Sequence, residues 1–320
     1  MHIIRLTTPT AATNVAAVLK PVLCIDRPRR CAALLALVTS ALLAACAAPA
    51  KPAANAAAPA AANANQSTVT IECPVRGAFG NGPTYYSQYY EDYILGYVFK
   101  DHENGFYVDV GANDPDESSV TKYFYLAGWR GINIEPIPEL VEKLNKSRPK
   151  DTNKGVAISD RPGELPFYKS VKTSGLSTLS PKIAASHRVN GYEFTKIMIP
   201  VTTLTAVLDE HAKNKPEITF LNVDVEGFEK QVFSSVDFKR YVPRVIMAES
   251  TAPLTEAPTH QVWEPILLDN GYIFAMDDGL NRYYVHKTEE RLLSRFIEAN
   301  YCVLRDKLDK HLHLDGFKPR

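Results

Sequence analysis

The segment Phe106-Tyr-Val-Asp-Val-Gly-Ala-Asn-Asp114, followed by Gly131-Ile-Asn-Ile-Glu-Pro136, constrains the fold most tightly. An apolar run bounded by turn residues is a strand buried on both faces, as in parallel sheets covered by helices. The first run closes on Gly111 and the second on Glu135. A carboxylate roughly 20 residues beyond a strand that ends in a glycine turn is the pattern of a nucleotide-type cofactor held by its ribose hydroxyls. Only Gly111 is essential in this turn, so the G-x-G-x-x-G spacing that brings backbone against a pyrophosphate is missing. A cofactor with a ribose and no pyrophosphate fits better, and S-adenosylmethionine is the commonest one. The missing glycines count against a nicotinamide-dependent oxidoreductase, which stands as a lesser enzyme reading.

The rest of the globular stretch alternates strand and helix. Helical spacing covers residues 87–99, 118–126, 138–145, 203–213 and 263–270, and an amphipathic helix is expected over 288–313. Strands are expected at 105–110, 131–134, 155–159, 218–223 and 244–248, with a closing antiparallel pair at 272–276 and 282–285. This pattern predicts an α/β fold: a Rossmann-like, mostly parallel sheet with helices on both faces. In such sheets the ligand sits at the carboxyl ends of the strands. Asp109, Glu135, Asp224, Glu226 and Glu249 all fall there. Their convergence is the strongest residue-level sign of an active site.

The amino-terminal stretch reads differently. Arg27, Arg29 and Arg30 precede the apolar run 31–45, a charged n-region before an h-region. The run is shorter than the ~20 apolar residues of a comfortable membrane span. It ends in Leu43-Ala44-Ala45-Cys46, which resembles the lipobox of bacterial lipoproteins, with Cys46 as the lipidated residue. The expected organisation is a leader over 1–46, an Ala/Pro/Asn-rich tether over 47–69 without the apolar groups that ordering requires, and a domain over 70–320. The expected location is a membrane anchor facing the periplasm or cell surface, or the cytoplasm if translation starts near Val69. Lys plus Arg and Asp plus Glu both total 36, which gives no electrostatic case for nucleic acid. The five cysteines contain no C-x-x-C pair, so no zinc site and no other metal centre is expected. Cys73 and Cys302 are available to pair if the domain is exported, although the sequence does not place them within reach.

Six segments together resemble the FkbM-type methyltransferases: Ser87-Gln-x-x-Glu-Asp92, Val108-Asp-Val-Gly-Ala-Asn113, Gly128-Trp-Arg-Gly131, Ile134-Glu-Pro136, Ala157-Ile-Ser-Asp160 and Leu221-Asn-Val-Asp-Val-Glu-Gly-Phe-Glu229. The resemblance spans roughly residues 87–285, the bulk of the strand–helix pattern. It implies a class I S-adenosylmethionine-dependent enzyme that O-methylates a hydroxyl of a saccharide, glycolipid or small molecule.

Residue by residue, the resemblance implies that Gly111 admits the cofactor's methionine moiety and that Glu135 accepts both ribose hydroxyls. Asp109 either orients the turn or meets the cofactor's ammonium. Asn113 either contacts cofactor or holds the turn. Ser159 and Asp160 either border the adenine or form an ordinary turn. Asp224 orients the acceptor or the methionine end and Glu226 is the next candidate, as general base, with the alternative that one of the two only caps the following helix. His187 is a further catalytic candidate. One conflict stands: the methyl donor is cytosolic, whereas the leader signals export. A non-catalytic, membrane-anchored binding lipoprotein is therefore the alternative function.

Overall fold

In a computed structural model the described residues are 71, 73, 85–213 and 217–314, with side chains described to residue 308. The expected leader, Cys46 and the tether 47–69 lie outside them. The fold occupies the unit Cys73–Arg320. In chain order its strands are β1 Phe106–Val110, β2 Arg130–Ile134, β3 Thr152–Lys154, β4 Ala157–Ile158, β5 Gly163–Ser170, β6 Phe194–Thr202, β7 Phe220–Val223, β8 Val245–Glu249, β9 Tyr272–Asp277 and β10 Asn281–His286. The α-helices are α1 Glu91–Val98, α2 Lys122–Leu126, α3 Pro138–Ser147, α4 Pro181–Val189, α5 Leu204–His211, α6 Glu229–Ser234, α7 Glu264–Asp269 and α8 Leu293–Leu314.

The main sheet has seven strands in the order β3-β2-β1-β7-β8-β10-β9. Strands β3 to β8 of that order run parallel, and β10 joins β8 and β9 antiparallel, as the sequence pattern predicts. Apolar runs become the central strands because they are covered on both faces. Val108, Ile132, Leu221 and Ile246 sit in one contiguous core with Trp263. Burying side chains of this size contributes roughly 1.5–3 kcal/mol each. On register, Tyr107 lies opposite Gly131. A Cβ at Gly131 would meet the Tyr107 ring at 2.1 Å, so the glycine leaves the space that this buried ring fills. The amphipathic tail forms α8 and packs on α1. Tyr97 donates its hydroxyl to Glu298 at 2.9 Å, and Arg295 donates to the Val98 carbonyl at 2.8 Å.

Three boundaries differ from expectation. The first helix starts at Glu91 rather than 87, because Tyr90 is left-handed at φ 71° and the Ser87 hydroxyl donates to Asp92 instead of capping a turn. The helix expected from 118 starts at Lys122, since Ser118 is also left-handed. The strand expected at 155–159 is reduced to 157–158 and preceded by another at 152–154. Residues 152–154 extend the main sheet, and 157–158 pair with β6 in a separate three-stranded sheet, β4-β6-β5, that the sequence reading did not foresee. Cys73 and Cys302 form a disulfide, with Cα atoms 5.4 Å apart across 229 positions of sequence. No helix among the described residues is long and apolar enough to cross a membrane.

Candidate active site

Strand β1 has β2 on one side and β7 on the other, so successive connections leave the sheet in opposite directions there. A crevice opens at the carboxyl ends of the strands at such a reversal. It holds a cavity of about 610 Å³. Asp109, Gly111, Asn113, Glu135, Asp224, Glu226 and Glu249 all line it. The strand-end acids singled out by sequence therefore share one space.

Gly111 has φ +88°, and a Cβ there would lie 1.7 Å from the Asp224 carbonyl oxygen. The glycine is required by the approach of two strand ends: Gly111 N–H donates to Ile134 O at 2.9 Å and Asp224 N–H to Val110 O at 3.0 Å. The Cβ volume expected for the cofactor's methionine moiety belongs to the Asp224 backbone.

Asp109 is buried and fully engaged. It accepts from the Thr121 hydroxyl at 2.8 Å and from Asn222 Nδ2 at 2.9 Å. Burial pushes its pKa up, against those hydrogen bonds and the Arg148 charge. These contacts favour the turn-orienting role over an ammonium contact. Arg148, 2% exposed, donates to Thr121, Ser119 and the Pro115 carbonyl, tying the end of α3 to the loop after β1. Sequence gave no sign of this residue, because a buried arginine looks like a surface one until its partners are known.

Glu135 lines the cavity at the end of β2. Its Oε2 accepts from Asn113 N–H at 2.9 Å and its Oε1 from Ile137 N–H at 2.8 Å. Each oxygen retains a lone pair for a further donor. Burial raises its pKa from 4.5 to about 7. Asn113 is left-handed at φ 50° and accepts from the Ser174 hydroxyl at 2.8 Å, which ties the turn to the 3-10 segment Ser174–Leu176 on the cavity wall. Beside Glu135 the wall is apolar, with Ile137, Ala157, Phe167 and Leu179 in one cluster.

The opposite end is acidic. Asp224, Glu226 and Glu249 each bring a carboxylate oxygen within 4.8 Å of the others. The pKa values of all three are raised: desolvation is the largest cause, followed by repulsion from Glu229, Glu91 and Asp109 at Asp224, from Asp224 and Glu229 at Glu226, and from Asp224, Glu226 and Glu229 at Glu249. Glu226 Oε2 and Glu249 Oε2 are buried without a hydrogen-bond partner. Glu226 is left-handed at φ 54°, which costs a residue with a Cβ roughly 1–2 kcal/mol. Its carbonyl is held by the Thr178 hydroxyl at 2.8 Å. Glu229 accepts from Gly227 N–H at 3.0 Å.

Three expected residues fall elsewhere. Ser159 is buried in the turn after β4, where its N–H donates to Thr202 O, and its hydroxyl donates to Asp160 at 3.2 Å. Neither residue lines the cavity, because the chain has already left the main sheet for the small one. They form the ordinary turn. His187 sits on α4, 2% exposed, stacked 6.0 Å from Phe194 and edge-on to Tyr192 at 5.8 Å. It does not line the cavity either, and burial lowers its pKa. Its ring packs between Tyr192 and Phe194, outside the cavity lining.

This fold is of the Rossmann-like α/β class, with its crevice at the carboxyl ends of the parallel strands. A sequence model of the methyltransferase FkbM domain matches residues 109–274. The chain belongs to the FkbM methyltransferase family. No curated protein matches it. Among solved structures it is similar to a TehB-like SAM-dependent methyltransferase from Corynebacterium glutamicum, at 8% identity over 62% of this chain and 88% of that one, TM-score 0.36. It is similar to the magnesium protoporphyrin IX methyltransferase from Synechocystis with bound SAM, at 13% identity over 62% and 78% of the two chains, TM-score 0.29. An O-methyltransferase from Bacillus cereus in complex with SAH is similar at 9% identity over 62% and 81%, TM-score 0.32. At these scores the likenesses carry no argument about the site.

Proposed function

We propose that this chain binds S-adenosylmethionine in the cavity and methylates a hydroxyl of a saccharide, glycolipid or small molecule. The observation that carries this reading is the polarity of the cavity: an apolar slot beside Glu135 at one end and three carboxylates at the other. Such a site suits a ligand with an aromatic base, a ribose diol and a cationic centre. Bound S-adenosylmethionine would supply a methyl group on a sulfonium, passed to the acceptor oxygen by in-line displacement. Glu135 would accept the ribose hydroxyls with its remaining lone pairs, and Ile137, Phe167 and Leu179 would cover the base. Asp224 would align the acceptor, and Glu226 or Glu249 would take the hydroxyl proton as the new O–C bond forms.

We further propose that the domain faces the periplasm or cell surface, anchored through Cys46. The Cys73–Cys302 disulfide supports this, because such bonds persist in oxidising compartments. The same bond favours one second reading, a membrane-anchored binder that retains the cavity without transferring a methyl group. Incubating the chain with methyl-labelled S-adenosylmethionine and cell-envelope extracts separates the two. Labelling of a glycolipid or saccharide fraction, lost in Glu226→Gln, is the expected outcome; cofactor binding with no fraction labelled would replace the enzyme by the binder. Cys46→Ser should release the protein from membranes, and a soluble wild type beginning near Val69 would remove the anchor.

A further inference from the structure

We propose that Asp224, Glu226 and Glu249 form a binding site for one hard divalent cation of the Mn²⁺ or Ca²⁺ class at the acidic end of the cavity. The three come from two places: the turn after β7 supplies Asp224 and Glu226, and the last residue of β8 supplies Glu249. Their ligand atoms lie within 4.8 Å of one another. Oxygens held ~2.1–2.4 Å from one hard cation lie at most about 4.2–4.8 Å apart, so three ligand atoms within 4.8 Å of one another can share a single ion. All-oxygen carboxylate ligation suits Mg²⁺, Ca²⁺ and Mn²⁺ rather than the softer metals.

A cluster of acids alone would not justify a site. The second observation is that these acids lack partners. Glu249 is 6% exposed, and its Oε2, like Glu226 Oε2, has no hydrogen-bond donor. Among the described residues none of the three carboxylates is hydrogen-bonded or ion-paired through its side chain. Asn222, 4% exposed and on the same cavity wall, also leaves Oδ1 without a donor while its Nδ2 serves Asp109. Buried polar groups are ordinarily paired, and buried charges coordinate metals or opposite charges. A cation supplies the missing partner to several of these oxygens at once. The site itself rests on carboxylate geometry; what it would do rests on the methyl-transfer reading. With three protein ligands, a six- to eight-coordinate ion keeps open positions toward the cavity. Two neighbouring hydroxyls of a polyhydroxylated acceptor would occupy them, and the ion would lower the pKa of the hydroxyl to be methylated.

The test uses the full chain, stripped with chelator and titrated with Mn²⁺ alone, followed by paramagnetic resonance and calorimetry. One Mn²⁺ per chain, displaced by Ca²⁺, is expected. Glu249→Gln and Asp224→Asn should each weaken binding about tenfold or more, while the surface variant Glu139→Gln should not change it. Each change removes one carboxylate from a group of mutually repelling acids and leaves the variant folded, which circular dichroism verifies. The wild type also provides an independent readout, a rise in melting temperature with Mn²⁺. Wild type that binds no Mn²⁺ or Ca²⁺ at millimolar concentration, or variants that bind as wild type does, would overturn the site. S-adenosylhomocysteine titrated into the same preparations keeps the two failures apart. Its binding without any metal binding overturns the cation site alone. Metal binding without it sustains the cation site and removes the methyl-transfer reading.

Discussion

Replacing Gly111 by alanine separates two costs that glycine turns usually combine. The left-handed backbone at φ +88° costs an L-residue roughly 1–2 kcal/mol. The new Cβ would also stand 1.7 Å from the Asp224 carbonyl oxygen, and that oxygen belongs to backbone that cannot swing aside as a side chain would. The ends of β1 and β7 must then part, which strains the Gly111 N–Ile134 O and Asp224 N–Val110 O bonds of 2.9 and 3.0 Å. Each contributes roughly 0.5–1.5 kcal/mol, so the total loss is about 2–5 kcal/mol. Gly128 is the internal control, with φ +101° and nothing within 4 Å of its virtual Cβ. Gly128→Ala should therefore lose only the backbone share, roughly 1–2 kcal/mol. The entropic benefit of alanine in the unfolded chain is common to both and cancels in the difference. Urea denaturation followed by circular dichroism measures both variants. Equal losses, within ~0.5 kcal/mol, would refute the claim that crowding by the Asp224 backbone fixes this glycine.

The buried acids set an unusual pH dependence. Glu135 rises from 4.5 to about 7 on folding, so its folded form holds a proton that the unfolded chain releases. Its stabilisation is complete below pH 4.5 and is lost as pH rises through about 7. The urea midpoint should therefore fall from pH 5 to pH 8; a flat or rising midpoint contradicts this. Glu135→Ala strands the buried amide of Ile137 and the half-buried amide of Asn113, so it should lose about 1–4 kcal/mol of stability as well as S-adenosylhomocysteine affinity. A stable variant that merely fails to bind would show that the carboxylate does not hold the turn. His187→Phe keeps the ring packing with Tyr192 and Phe194, and turnover should stay within about threefold of wild type; a fall of ~10²-fold or more would restore His187 as a general base.

The central sheet was legible because its strands are buried on both faces, which leaves uninterrupted apolar runs such as 106–110 and 220–223. The acids at their ends followed from the same reading. The small sheet was not foreseen, although β6 carries a signal: Ile197, Ile199 and Val201 alternate inward against Lys196, Met198 and Pro200. Its partner β5 has no such alternation, and the pairing is set by Tyr168 and Leu165 meeting Lys196 and Ile199 across the hairpin. Glu249 was visible as a strand-end acid, but its place beside Asp224 and Glu226 depends on β8 lying next to β7, a fact of topology that local pattern does not contain. The disulfide is of the same kind, since only the return of α8 to the start of the domain brings Cys302 to Cys73.

Calorimetric titration of the full chain with S-adenosylhomocysteine tests the account most directly. One ligand per chain with micromolar affinity, roughly −8 kcal/mol, is the result predicted for a nucleoside cavity at the β1–β7 crevice. No binding at millimolar concentration, or binding of NADH in its place, would contradict it.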